Sequence, residues 1–381
     1  MSRMLRLARK MSDASPFSLR SMLMAYAIRL RARDGSARVF EVLQAEPLSF
    51  ESLCSYIGKR QTVFKIRARV REHDAAGVRV GGEKAIEFDM SFPDGIPHYG
   101  LVPSGVLPPD FLLRGGTRMM LDRNVLSDLR RLQAAGHGMR HPLAWMDTDG
   151  FYVNPILGAM EGSKRRPLCR SEFDNEVRDA TEVVMRTLPR ANTVKFDGVA
   201  LAQMCQQHLA FVPRLRREQG FLYAVSQRLV DSVSTSELRT AEKFVLQTAA
   251  DLRVRPLTLV VLTVLAKLYE GTDQRPAGRL LKLADIRSAG RGWRQASYNA
   301  VADIRQMEVL STGVTMPDSV CALTGDIALA QMWCGLRPIG VKSHDGTIQL
   351  GYNLDPALFP RLKGSTDDML DRMRVSCRRD V

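Results

Sequence analysis

Two short apolar runs in this chain each end in an aspartate and lead straight into helical spacing. Arg118-Met119-Met120-Leu121 ends in Asp122, and Val320 to Leu323 runs through Thr324-Gly325 to Asp326. In an open α/β sheet, ligands bind beyond the carboxyl ends of parallel strands, so both aspartates are predicted to face one crevice. A third carboxylate lies on residues 296–311, which read as an amphipathic helix. Advancing about 100° per residue from Ala300, the residues Ile304, Met307, Leu310 and Ser311 span an arc from about −80° to about +40°. Asp303 falls inside it at about −60°, with Asn299 on its shoulder one turn back. A carboxylate on the apolar side of a helix is costly unless it is paired or binds a metal. Glu161, one turn after Leu157 and just before Gly162, is the fourth candidate.

Converging carboxylates suit hard divalent cations such as Mg²⁺ or Mn²⁺, which take oxygen ligands and share phosphate oxygens with a substrate. Such a site can activate water and neutralise charge on a phosphodiester. The charge balance of the chain agrees. Across 381 residues, 55 Lys and Arg stand against 41 Asp and Glu, a net +14. That excess favours a polyanionic partner, nucleic acid first. Lys164, Arg165 and Arg166 follow Glu161 closely and are expected at the rim of the crevice as phosphate contacts. Tyr298 and Trp293 flank basic residues and could stack on bases, although ordinary packing is the safer expectation. No His/Cys pair reads as a nucleophile, and His137 and His141 sit among Gly and Pro as a surface loop. Six scattered cysteines without a CxxC fit a reducing, cytoplasmic compartment. The apolar run Leu257 to Ala266 is half the length of a membrane span and reads as a buried helix.

Several elements must position these groups. Strands are expected at Arg118–Leu121, Phe151–Val153 and Val320–Leu323. Helices are expected after Asp122, from Asn154-Pro155, at 171–188, 197–208, 214–230, 236–250, 256–270 and 296–311, and after Asp326. Upstream, helices are predicted at Phe17–Arg31 and Ser36–Leu43, a strand at Thr62–Val70, and a hairpin about Gly81-Gly82. Residues 91–110, with five prolines, are predicted as a linker or covering loop. Strands at Arg337–Val341 and Thr347–Tyr352 precede a polar tail.

LDRNVLSDL at 121–129 resembles the first motif of PIN-domain nucleases, a hydrophobic strand followed by Asp-x-Asn-x-Leu. NPILGAMEG at 154–162 is similar to that family's second acidic motif, ADIRQMEVL at 302–310 to its helical Asp, and ALTGDIAL at 322–329 to its Thr-x-Asp. The resemblance implies an acidic quartet of Asp122, Glu161, Asp303 and Asp326, with Asn124 and Thr324 as supporting polar groups. It implies a three-layer α/β/α sandwich around a parallel sheet and a ribonuclease dependent on Mg²⁺ or Mn²⁺. The expected organisation is a basic α+β region at 1–112, the halves of the PIN-like core at 113–170 and 293–343, a helical insertion at 171–292, and a C-terminal strand and tail at 344–381. Two other functional readings stand beside it. One is a non-catalytic nucleic-acid-binding or interaction protein with a degenerate core. The other is a toxin-like nuclease restrained by an acidic partner protein. Self-association is a further expectation, and a membrane role is not expected.

Overall fold

The computed structural model describes residues 27–31, 37–55, 62–74, 78–92, 98–103, 105–108, 111–112, 118–135, 143–229, 232–272, 275–313, 320–342 and 348–378. The chain is α/β. Its central sheet is mixed, with mostly parallel strands. β5 (Tyr99–Val102), β6 (Gly105–Leu107), β7 (Arg118–Leu121), β8 (Tyr152–Asn154), β9 (Asn192–Thr193) and β10 (Val320–Thr324) stand in the order β6-β5-β10-β7-β8-β9. From β10 through β7 and β8 to β9 all neighbours are parallel, whereas β5 joins β10 antiparallel.

Strands buried on both faces read as continuous apolar runs. Met119, Met120 and Leu121 of β7 are all buried, as are Cys321, Ala322, Leu323 and Thr324 of β10. The chain leaves β7 through α2 (Arg123–Ala135) to β8, and reaches β9 through α3 (Ile156–Glu161) and α4 (Arg170–Thr187). It returns much later to place β10 on the other side of β7. The strand order therefore reverses between β7 and β10, and this is where an open sheet leaves a crevice at its carboxyl edge.

Between β9 and β10 lie α5 (Gly198–Leu229), α6 (Leu238–Asp251), α7 (Leu259–Glu270), α8 (Pro276–Leu281), α9 (Leu283–Ser288) and α10 (Trp293–Gly313). Every residue of α7 is buried, so the longest apolar run is core. No helix among the described residues is long and apolar enough to cross a membrane. α11 (Ile327–Leu336) follows β10 and packs on β5 and β6.

Several expectations need correction. Residues 27–31 and 37–45, predicted as helix in part, are the strands β1 (Ala27–Arg31) and β2 (Ala37–Ala45); the rest of the Phe17–Arg31 prediction lies outside the described residues. β2 pairs on both edges, with β1 and with β3 (Thr62–His73), and sheet pairing outweighs a weak helical period. Gly81-Gly82 is not a hairpin turn. β4 (Arg79–Phe92) runs through it as a single strand paired along β3. The 91–110 stretch contains β5 and β6; Pro103 lies in their turn and Pro108 just beyond, so neither interrupts a ladder. The break expected before 214 is absent, because α5 continues through Pro213. In the block from 171, expected to be almost wholly helical, the two-residue β9 lies in the gap between the first two expected helices. The polar tail carries α12 (Thr366–Arg378), which follows the β11 (Pro338–Lys342) and β12 (Ile348–Tyr352) hairpin. Met369 and Met373, one turn apart, are fully buried, and Arg372 donates to Glu242 at 2.6 and 3.2 Å.

Candidate functional site

Asp122 and Asp326 stand just beyond the carboxyl ends of β7 and β10, and one hydroxyl joins them. Thr324 Oγ1 donates to Asp122 Oδ2 at 2.5 Å and accepts from the Asp326 backbone N–H at 2.9 Å. The Asp122 N–H donates to the Leu323 carbonyl at 3.1 Å, which ties the two strand ends together. Both aspartates also cap the helix that follows. Asp122 Oδ1 accepts from the Val125 N–H at 2.8 Å, and Asp326 Oδ1 accepts from those of Ala328 and Leu329 at 2.7 and 3.1 Å. Capping occupies one oxygen of each carboxylate; the second oxygen of Asp122 takes the Thr324 hydroxyl, while that of Asp326 accepts no hydrogen bond among the described residues.

Glu161 ends α3, and α10 holds it. Gln306 Nε2 donates to Glu161 Oε2 at 3.1 Å, and the Tyr298 hydroxyl donates to the Glu161 carbonyl at 2.9 Å. Tyr298, Ala302 and Gln306 follow one another at four-residue spacing, a single helix face with a small residue in the middle. Asp303 lies on the same helix, so α10 both supplies one carboxylate and fixes another. Tyr298 is only 2% exposed, in line with the packing expectation and not with stacking on bases. Trp293 stacks on Tyr223 with ring centroids 4.8 Å apart.

The electrostatics bind the four groups into one cluster. Burial pushes Asp122 up from 3.8 to about 6, against the pull of donors from Thr324, Val125 and Gly325. Glu161 is raised by burial first and then by the negative charge of Asp122. Asp303 is raised well above the usual carboxylate range, by burial and then by Glu161, Asp326 and Asp122. The opposing cations are Arg123 and Arg165 near Glu161 and Lys282 near Asp303. No ion pair reaches any of the four carboxylates among the described residues. Buried like charges without a paired cation oppose folding in their ionised form.

The donor chemistry fits a hard divalent cation. Asp326 Oδ2, Glu161 Oε1 and both Asp303 oxygens accept no hydrogen bond among the described residues, and every available donor is an oxygen. The side chains do not form a closed shell: no group of three or more His, Cys, Asp or Glu among the described residues is arranged to hold a metal as it stands.

The remaining expected residues fall outside this cluster. Asn124 is exposed in the first turn of α2, and Asn299 is half-buried on α10 without a hydrogen bond among the described residues. Lys164 and Arg166 both pair with Glu172, each at 2.6 Å, while Arg165 stays exposed. His137 and His141 lie outside the described residues.

Gly158 sets the spacing of the cluster. A Cβ there would meet Leu126 Cδ1 at 2.4 Å and the backbone of Arg123 and Asp122 at 3.0 Å. Gly158→Ala is expected to push α3, and Glu161 with it, away from Asp122. The expected cost is about 1–3 kcal/mol, read by thermal unfolding. Comparison of the chain with protein families, with curated proteins and with solved structures finds no match in any of the three.

Proposed function

We propose that this chain is a metal-dependent nuclease with a PIN-like three-layer core, acting on RNA in preference to DNA. The observation that carries the reading is the pair of strand-end aspartates joined by the Thr324 hydroxyl, with Asp303 and Glu161 near enough to raise one another and no ion pair to any of the four among the described residues. Its position at the reversal of strand order supports it, as does the net charge of +14. Asp122, Asp303 and Asp326 would hold Mg²⁺ or Mn²⁺, which when bound supplies neutralisation of phosphate charge and activation of water. Glu161, raised by burial and by its neighbours, accepts the proton of the attacking water near neutral pH. Gln306 and Tyr298 hold it in place, and Thr324 keeps the two strand-end carboxylates in register.

The test is cleavage of labelled single-stranded RNA and DNA with Mn²⁺, Mg²⁺ or EDTA, comparing wild type with Asp122→Asn and Asp326→Asn. Both changes are expected to lower metal-dependent cutting by about 10³-fold, since each removes a ligand charge at nearly constant shape. Binding without cutting, unchanged in both variants, would instead make the chain a basic scaffold. Thr324→Val should lower kcat by about 10–100-fold with KM little changed, and Thr324→Ser should restore it.

A further inference from the structure

Among the described residues four non-glycine residues have positive φ, and all four are basic: Arg165 (49°), Arg253 (54°), Lys282 (48°) and Arg337 (40°). This backbone region costs an L-residue about 1 kcal/mol or more, and such strain concentrates at functional positions. Arg337 pairs with Asp355, and Arg253 lies in the turn after α6. The other two flank the carboxylate cluster.

Arg165 sits four residues beyond Glu161, in a loop pinned on both sides of it. Glu176 accepts from the Ser163 N–H and hydroxyl at 3.0 and 2.6 Å. Glu172 holds Lys164 and Arg166 and accepts from the Cys169 N–H at 3.1 Å. Two glutamates of α4 thus fix every neighbour, and Arg165 alone in the loop keeps an unpaired, exposed guanidinium among the described residues. Lys282 joins α8 to α9, and both helices pack on α10, the helix of Asp303. Its N–H donates to the Gly278 carbonyl at 3.0 Å, and its carbonyl accepts from the N–H groups of Asp285 and Ile286. The backbone is locked in the conformation glycine usually fills at a helix end, while the exposed ammonium has no ion pair among the described residues.

We propose that Arg165 and Lys282 fix the path of a single-stranded polynucleotide across the crevice, one holding a phosphate beside Glu161 and the other a phosphate beside Asp303. The proposal rests on the nuclease reading for what happens between them, but not for the binding itself. Lys164 and Arg166, committed to Glu172, position the loop and do not contact the strand.

The test is fluorescence anisotropy of a labelled oligoribonucleotide over a range of salt, with Mg²⁺ present, in an Asp303→Asn background that removes cleavage. Arg165→Gly and Lys282→Gly should each weaken binding about tenfold and reduce the salt slope by about 0.7, one phosphate contact on a single strand. Both should leave the melting temperature unchanged or raised, because glycine relieves the positive-φ strain; a purely structural role would lower it. Lys164→Gln removes one charge from the same loop and should change the slope by less than half as much. Equal losses in all three variants, or none in Arg165→Gly and Lys282→Gly, would overturn the proposal in favour of a diffuse basic field or no strand path. If wild type never cuts but these position-specific losses appear, the nuclease reading fails and the strand path stands.

Discussion

Asp303→Asn is expected to stabilise the metal-free protein at neutral pH while lowering hydrolysis by about 10³-fold. Most buried polar substitutions lose both stability and activity. Here the carboxylate accepts no hydrogen bond among the described residues and faces three like charges, so its ionised form opposes folding. An amide of the same shape removes that repulsion, so the variant should unfold at higher denaturant concentration than wild type. Chemical denaturation with EDTA present reads it directly. A variant less stable than wild type at about pH 7.5 would mean that Asp303 is held by favourable contacts and is not a strained ligand.

The second large effect is on pH dependence, and it has opposite signs for stability and activity. Asp122 holds its proton to about 6 in the folded chain against 3.8 ordinarily, and Glu161 and Asp303 are shifted the same way. Between the ordinary and the raised values the native state binds more protons than the unfolded one. The stability contribution is therefore complete below the ordinary carboxylate range and is lost as pH rises through the folded value. For Asp122 alone, a rise from 3.8 to about 6 corresponds to about 3 kcal/mol lost across that window. Activity should run the other way, because a cation is held only by ionised carboxylates. From about pH 6 to about pH 7 the expected rise in kcat/KM is about tenfold or steeper, since the coupled groups ionise together. Saturating Mn²⁺ should shift the rise to lower pH and restore stability. A flat rate profile across this window would contradict the assignment of these groups.

Much of the cluster was legible because β7 and β10 are buried on both faces. Met119 to Leu121 and Cys321 to Leu323 are unbroken apolar runs, and the aspartate closing each reads as a strand-end carboxylate and also as the cap of the next helix, a role that both fill. Asp303 was legible from helical phase alone. The polar groups that hold the cluster were not. Gln306 and Tyr298 act on Glu161 across 145 and 137 positions, and no local pattern signals a long-range hydrogen bond, although the four-residue spacing through Ala302 is visible afterwards. Thr324 was singled out, but its bridge to Asp122 needs the two strand ends side by side. Elsewhere the sequence misled where the elements were short or paired at long range. β9 has two residues and no periodicity to read. β5 and β6 were hidden by prolines that lie beside the strands. β2 reads weakly as helix until both of its edges are paired. Among its described side chains α12 buries Met369 and Met373 on a helix rich in charged residues, so composition concealed it.

The central claim is that these carboxylates together bind a divalent cation, and calorimetric titration of the EDTA-treated protein with Mn²⁺ at about pH 8 tests it most directly. Binding should release protons, and Asp303→Asn and Asp326→Asn should each weaken it at least about tenfold while remaining folded. A wild-type chain that takes up no Mn²⁺, or one whose affinity is the same in both variants, would contradict the account.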